Sequence, residues 1–254
     1  MINQIRADFY RQRRSIGMLI LLIATMGLGI VATWRKTPMG PTIGGEELLA
    51  IGRQGWTVRT GLQSGVASAS SLIYFYIAVF VIVIGAEYSQ HTLKNTLTSG
   101  ISRIQFILGK YATILIDIVL LTLCYFITIL ITGLALGRNP GVDWGILCKD
   151  VAVMTLLVGF CISVIISLGI ILLILTKSLV IPAVVIVIWP MLIGLVELTA
   201  KWQWLKYIDF VGFGEQIILN TLKADQAWIY AGVSAGVVLV AIFGSALIIS
   251  KQEI

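Results

Sequence analysis

The feature that most limits this chain is a succession of apolar runs, each about as long as a helix must be to cross the roughly 30 Å hydrocarbon layer of a bilayer. Six such runs are present: Ile16 to Thr33, Val66 to Ala86, Phe106 to Leu136, Val151 to Leu175, Leu179 to Val196 and Ala227 to Ile249. None shows the alternation of polar and apolar residues that membrane strands require. Backbone N–H and C=O groups must be paired inside hydrocarbon, so helices are expected throughout. Over 254 residues, 58% hydrophobic and 12% charged positions leave too little polar surface for a soluble fold. The mean hydropathy of +0.99 agrees. The expected fold class is an all-α membrane protein, a single transmembrane domain over 1–254 with six transmembrane helices.

The runs differ in ways that predict shape. The third is longer than a perpendicular helix needs, so it is expected to tilt or to project beyond the membrane. Only Thr176-Lys177-Ser178 separates the fourth from the fifth, which makes those two a tight antiparallel hairpin. Pro182 and Pro190 remove backbone donors from the fifth and predict a kink or interruption. An even count of spans puts both termini on one side. Basic residues divide evenly between the two sides, but the densest cluster, Arg6, Arg11, Arg13 and Arg14, precedes the first span. Both termini are therefore expected in the cytoplasm of a multi-pass cell-membrane protein.

The Arg-rich lead and first run resemble a signal peptide, but no small-residue cleavage site follows before Trp34-Arg35-Lys36-Thr37-Pro38, so a retained span is expected. Ile2, Ile5 and Phe9 interleave with Arg6 and Arg13, the pattern of a short amphipathic helix on the inner leaflet. Two outer connections are long. Thr37 to Gly65 reads as a solvated loop with a short helix. Lys201 to Gln226 sets Trp202, Trp204, Phe210 and Phe213 beside charges, which fits either a partly helical segment that lies at the interface or re-enters the membrane, or ordinary loop anchors.

The net charge of +6 is spread between apolar runs, which fits contact with anionic lipid and no nucleic-acid surface. Cys124, Cys148 and Cys161 are scattered, and His91 is the single histidine, so neither a metal site nor a Ser-His couple is expected. Asp117 falls inside the third run, where a carboxylate is costly and is by default a functional candidate, with Lys110 as a distant partner and a hydrogen-bonded structural role as the alternative. Gly27 with Gly29, and Gly232 with Gly236, offer surfaces for close helix approach.

The most informative stretch joins the second and third runs, from Glu87 to Arg103. Ser89 or Gln90 can open a short helix there, Leu93 and Leu97 share a face, Gly100 can close it, and Ser102 suits the start of the next helix. Such a piece offers two apolar anchors and the rim charges Lys94 and Arg103 to a soluble partner; read blandly, it is a connecting loop. The run Gly85-Ala86-Glu87-Tyr88, then Thr92-Leu93, Leu97 and Ser99-Gly100-Ile101-Ser102-Arg103, covers under a tenth of the chain. It resembles the cytoplasmic loop of ABC transporter permeases of the type-two exporter class, especially the small six-span permeases of bacitracin-resistance and lantibiotic-immunity exporters. His91 departs from the glycine common there.

The resemblance implies an ATP-driven exporter of an amphipathic peptide, antibiotic or lipid-like molecule. Two permeases, identical or paralogous, would pair with two cytoplasmic ABC ATPase subunits. Its coupling helix would involve Glu87, Tyr88, His91, Thr92, Leu93, Lys94, Leu97, Gly100 and Arg103, with Glu87 and Arg103 near the ATPase contact and the first, second and fifth helices lining the path. The chain has no GxxxxGK[ST] segment, so ATP and magnesium are expected on the partner, with no cofactor and no enzyme activity in this chain. Two other classes compete. A secondary transporter or channel driven by an ion gradient would favour several intramembrane charges and an internal repeat. An intramembrane hydrolase would need a nucleophile and base, or metal ligands, at membrane depth.

Overall fold

The computed structural model describes residues 2–37, 55–85, 87, 102–200, 204–218 and 224–251. Among them the regular structure is helical, with no strand. The order is α1 (Ile2–Arg13), α2 (Ile16–Arg35), α3 (Val58–Ala67), α4 (Ala69–Phe80) running into a π-helical turn (Val81–Gly85), α5 (Arg103–Ala135), α6 (Trp144–Thr176) and α7 (Val180–Ala200). A 3-10 turn (Leu205–Ile208), α8 (Phe210–Ile218) and α9 (Ala224–Lys251) complete it. Helices α2, α5, α6 and most of α9 are long and apolar enough to cross a membrane; α3 and α4 pass the same test together as a pair bent by 62°. Val180–Val196 of α7 is a shorter apolar helix.

The second run thus begins earlier than its hydropathy announces and is broken. Thr57 opens α3 with a reciprocal cap: its Oγ1 accepts from the Thr60 N–H at 3.2 Å, and the Thr60 hydroxyl oxygen accepts from the Thr57 N–H at 2.8 Å. The break falls at Ser68, whose hydroxyl donates to the Ser64 carbonyl at 3.0 Å. Hydroxyls that bond back to the preceding turn bend helices, and the small residues around this one offer little side-chain bulk to resist. The α6–α7 corner is as tight as expected. Lys177 adopts the left-handed conformation (φ 54) and returns its N–H to the Leu173 carbonyl at 2.8 Å. Helix α7 continues through Pro190 instead of being interrupted. Pro182 sits in its first turn, where the missing N–H has no intrahelical partner to lose.

Helices α5 and α6 form the centre, packed on one another and touched by most other elements. The length of α5, 33 residues or about 50 Å, has a specific cause. Helices α1 and α2 lie along it end to end in parallel: Gln4 meets Phe106, Asp8 meets Lys110, Gln12 meets Asp117, and Gly29 meets Tyr125 and Thr128. The stretch of α5 beside α2, from Asp117 onward, is about 27 Å long, close to the hydrocarbon thickness. Asp117 is therefore level with the α1–α2 junction. At the far end of the chain, Phe213 of α8 stacks on Tyr230 of α9 with ring centroids 4.6 Å apart.

Only part of the small-residue pattern mediates helix contact. A Cβ at Gly29 would meet the Tyr125 carbonyl oxygen at 3.2 Å and the Thr128 Cβ at 3.4 Å, whereas Gly27, Gly232 and Gly236 face open space. Backbone cannot rotate away as a side chain does. Gly29→Leu is expected to cost about 1–3 kcal/mol by overpacking and Gly27→Leu less than about 0.5 kcal/mol, measured by reversible unfolding in mixed micelles. Equal effects of the two changes would contradict the α2–α5 contact.

Candidate functional site

The site grows from the face that α1 turns inward. Gln4, Asp8 and Gln12 recur every four residues, so they share one side of the helix, and all three are buried against α5. Ile2 and Tyr10 face outward. The contact side of this amphipathic helix is thus polar, which the sequence pattern did not announce. Each polar side chain finds a counterpart on α5. The Gln4 amide donates to the Phe106 carbonyl at 3.3 Å, in space kept open by Gly109, where a Cβ would come within 2.8 Å of Gln4 Oε1. The Gln12 amide donates to Asp117 Oδ2 at 2.7 Å.

Between these two contacts lies the ion cluster. Lys110 is 0% exposed, and an ammonium in such a place has three N–H groups to satisfy. Its Nζ donates to Asp8 Oδ1 at 2.8 Å, to Asp8 Oδ2 at 2.9 Å and to Glu87 Oε1 at 2.5 Å. Arg11, on the solvent side, brings Nη2 to 3.1 Å from Asp8 Oδ1 and Nη1 to 3.6 Å from Glu87 Oε1. Two carboxylates face two cations, so the group is neutral as a whole. The Phe106 ring lies 5.7 Å from the ammonium and closes one side.

Glu87 reaches this cluster from just past the π-helical turn at the end of the bent α3–α4 pair. The Val83 carbonyl in that turn accepts from Arg11 Nη2 at 3.4 Å, so α1 holds the backbone there as well as the side chain. Gly85 packs under Leu179 at the α6–α7 corner; a Cβ in its place would lie 2.5 Å from Leu179 Cδ2. Three separate pieces of chain therefore meet at the root of the 87–103 connection. At its other end, Ser102 caps α5: its hydroxyl accepts from the Gln105 N–H at 3.2 Å, and Gln105 Oε1 accepts from the Ser102 N–H at 3.4 Å.

Of the residues singled out in the sequence, Glu87 belongs to the cluster and Arg103 is the first residue of α5, half-buried. Tyr88, His91, Thr92, Leu93, Lys94, Leu97 and Gly100 lie outside the described residues. Asp117 is buried with Gln12, not with Lys110, whose charge is engaged by Asp8 and Glu87. Asp8, Arg11, Gln4 and Gln12 were not singled out for this role. Their signal was the four-residue spacing of polar side chains on α1, which by itself also fits a water-facing stripe. No group of His, Cys, Asp and Glu suited to a metal occurs among the described residues.

The family described as ABC-2 family transporter protein matches residues 4–194, a stretch that holds every member of the cluster. The chain belongs to the ABC-2 transporter family. Membership makes it a multi-pass membrane subunit of an ABC transporter, a permease that works with ABC ATPase subunits carrying the ATPase activity. No curated protein matches the chain.

Within this ABC-2 protein the cluster has a stability signature. Removing one partner of a buried ion pair leaves the other charge uncompensated, at a cost of about 3–5 kcal/mol. Lys110→Met should show a loss of that size in detergent unfolding, while Arg11→Ala, at the solvent edge, should lose about 1 kcal/mol or less. Adding Asp8→Asn and Glu87→Gln to Lys110→Met should recover most of the loss. Wild-type stability of Lys110→Met would show that the ammonium is not engaged as described.

Proposed function

We propose that this chain is the permease of an ATP-driven exporter in which the segment Glu87 to Arg103 receives the thrust of the ATPase. In this reading the chain is one transmembrane domain with six spans, the bent α3–α4 pair counting as the second and α7 as the fifth, and both termini are cytoplasmic. Two cytoplasmic ABC ATPase subunits hold ATP and magnesium, and a second permease, identical or paralogous, completes the path. The cargo is an amphipathic peptide, antibiotic or lipid-like molecule. The sequence resemblance to bacitracin-resistance and lantibiotic-immunity permeases supports that class, as do the apolar helix faces.

The observation that carries the coupling role is the anchoring of Glu87. Its carboxylate shares the Lys110 ammonium with Asp8, so the start of the segment is tied to both α1 and α5. A push on the segment would reach α5 twice, through the Glu87–Lys110 contact and through the capped start of the helix at Ser102. An untethered loop would absorb the same displacement. Leu93 and Leu97 serve as anchors in an apolar groove of the ATPase, with Lys94 and Arg103 at the rim.

Co-expression with the ATPase subunit tests this. Leu93→Asp and Leu97→Asp should each reduce co-purification of the ATPase at least tenfold, since a buried carboxylate in an apolar contact costs more than about 1.4 kcal/mol. The permease itself should remain in the membrane. Undiminished co-purification with unchanged cargo-stimulated ATP hydrolysis would remove the segment from the coupling role. Labelling of Lys94→Cys by an impermeant reagent added outside intact cells would remove it equally.

A further inference from the structure

A second polar site on α1 differs from the Lys110 cluster in being open. A cavity of about 240 Å³ lies between the α1–α2 junction and α5, lined among others by Gln12, Arg13, Ser15, Asp117, Leu121 and Cys124. Its floor is buried: Asp117 is 2% exposed, Gln12 3% and Leu121 3%. The flanking side chains Leu19 and Leu120, which also line it, are 60% and 50% exposed, so the cavity opens sideways along the apolar flank of α2 and α5.

The floor presents acceptors. Asp117 takes part in none of the ion pairs among the described residues. Gln12 spends its amide donor on Asp117 Oδ2, which leaves Gln12 Oε1 buried and without a hydrogen-bond partner. A buried carboxylate and a buried amide oxygen together call for a donor, best of all a cation with several N–H groups. The exposed Arg13 guanidinium on the same cavity supplies the opposite charge for an anionic group. Acceptors below, a guanidinium beside them and apolar walls leading outward match a zwitterionic amphiphile.

We infer that this cavity holds the headgroup of a primary-amine phospholipid, drawn from the leaflet on the side of the α1–α2 junction. The ammonium of phosphatidylethanolamine donates to Asp117 beside Gln12, its phosphate meets Arg13, and its chains lie along Leu19, Leu22 and Leu120. Phosphatidylcholine has the same charges and no N–H to donate, so it fails the floor. Phosphatidylglycerol offers a phosphate and no cation. Recognition of the headgroup needs nothing of the coupling role given to Glu87 and is the same whether the lipid is a resident or a cargo.

Native mass spectrometry of the full-length chain in mild detergent tests this, with phosphatidylethanolamine, phosphatidylcholine and phosphatidylglycerol of identical acyl chains titrated separately. The expected result is at least tenfold tighter retention of phosphatidylethanolamine than of either other lipid. Asp117→Asn should abolish that preference while general lipid retention continues. Leu121→Trp, which fills the cavity, should weaken phosphatidylethanolamine retention to the level of the other two. Equal retention of phosphatidylethanolamine and phosphatidylcholine by the unaltered protein would overturn the assignment without any variant. So would a preference for phosphatidylglycerol, or a phosphatidylethanolamine preference that survives Asp117→Asn.

Discussion

An ammonium with no access to water must be met by carboxylates placed to take its hydrogen bonds, because the desolvation of an unmatched charge costs several kcal/mol. Lys110 imposes that requirement on this fold, and the two carboxylates that meet it come from positions 8 and 87. The N-terminal helix, the end of the bent α3–α4 pair and the first turns of α5 are thereby set relative to one another by a single nitrogen atom. Val83, Ile84, Phe106 and Ile107 add buried apolar contact around the last two, whereas the buried residues of α1 are all polar. The same requirement sets the length of α5, which must extend about 50 Å to accompany α2 and then α1 beyond it.

The sequence disclosed the elements more readily than their relations. Hydropathy placed α2, α5 and α9 to within a few residues and found α6 with its start seven residues late, since a long apolar run has one economical fate in hydrocarbon. It misplaced the start of the second run because Val58 to Ala67 carries Arg59, Gln63 and several small residues, so α3 is helical and buried without being strongly apolar. The capping role of Ser102 was legible, as local chemistry usually is. The tight α6–α7 corner was also legible, from three residues alone.

The ion cluster was not legible, and the reason is physical. Pairing across 102 residues leaves no trace in spacing, and Lys110 sits about two turns after the start of α5, where it reads as an interfacial cation. On α1 a polar stripe at four-residue intervals has the same pattern whether it faces water or a buried partner. Asp117 drew attention because it interrupts an apolar run. Its partner could not be named, because the nearest cation in sequence, Lys110, was already taken by carboxylates from two other helices.

The buried face of α1 carries two polar sites that are opposites in their electrostatics. At Asp8 the charges close: each carboxylate has its cation, and the contact acts as a joint. At Gln12 the hydrogen bond to Asp117 lies at the floor of a cavity, and Asp117 has no cation among the described residues. These sites are about one turn of helix apart, on a helix too short to bend between them. Any rotation of α1 that breaks the joint must also move Gln12 against Asp117, so occupancy of the cavity and integrity of the joint are linked through a rigid lever. If the segment beginning at Glu87 takes the thrust of an ATPase and the cavity holds an amphiphile, that lever runs between the two, and an occupied cavity would favour the arrangement in which Glu87 is held.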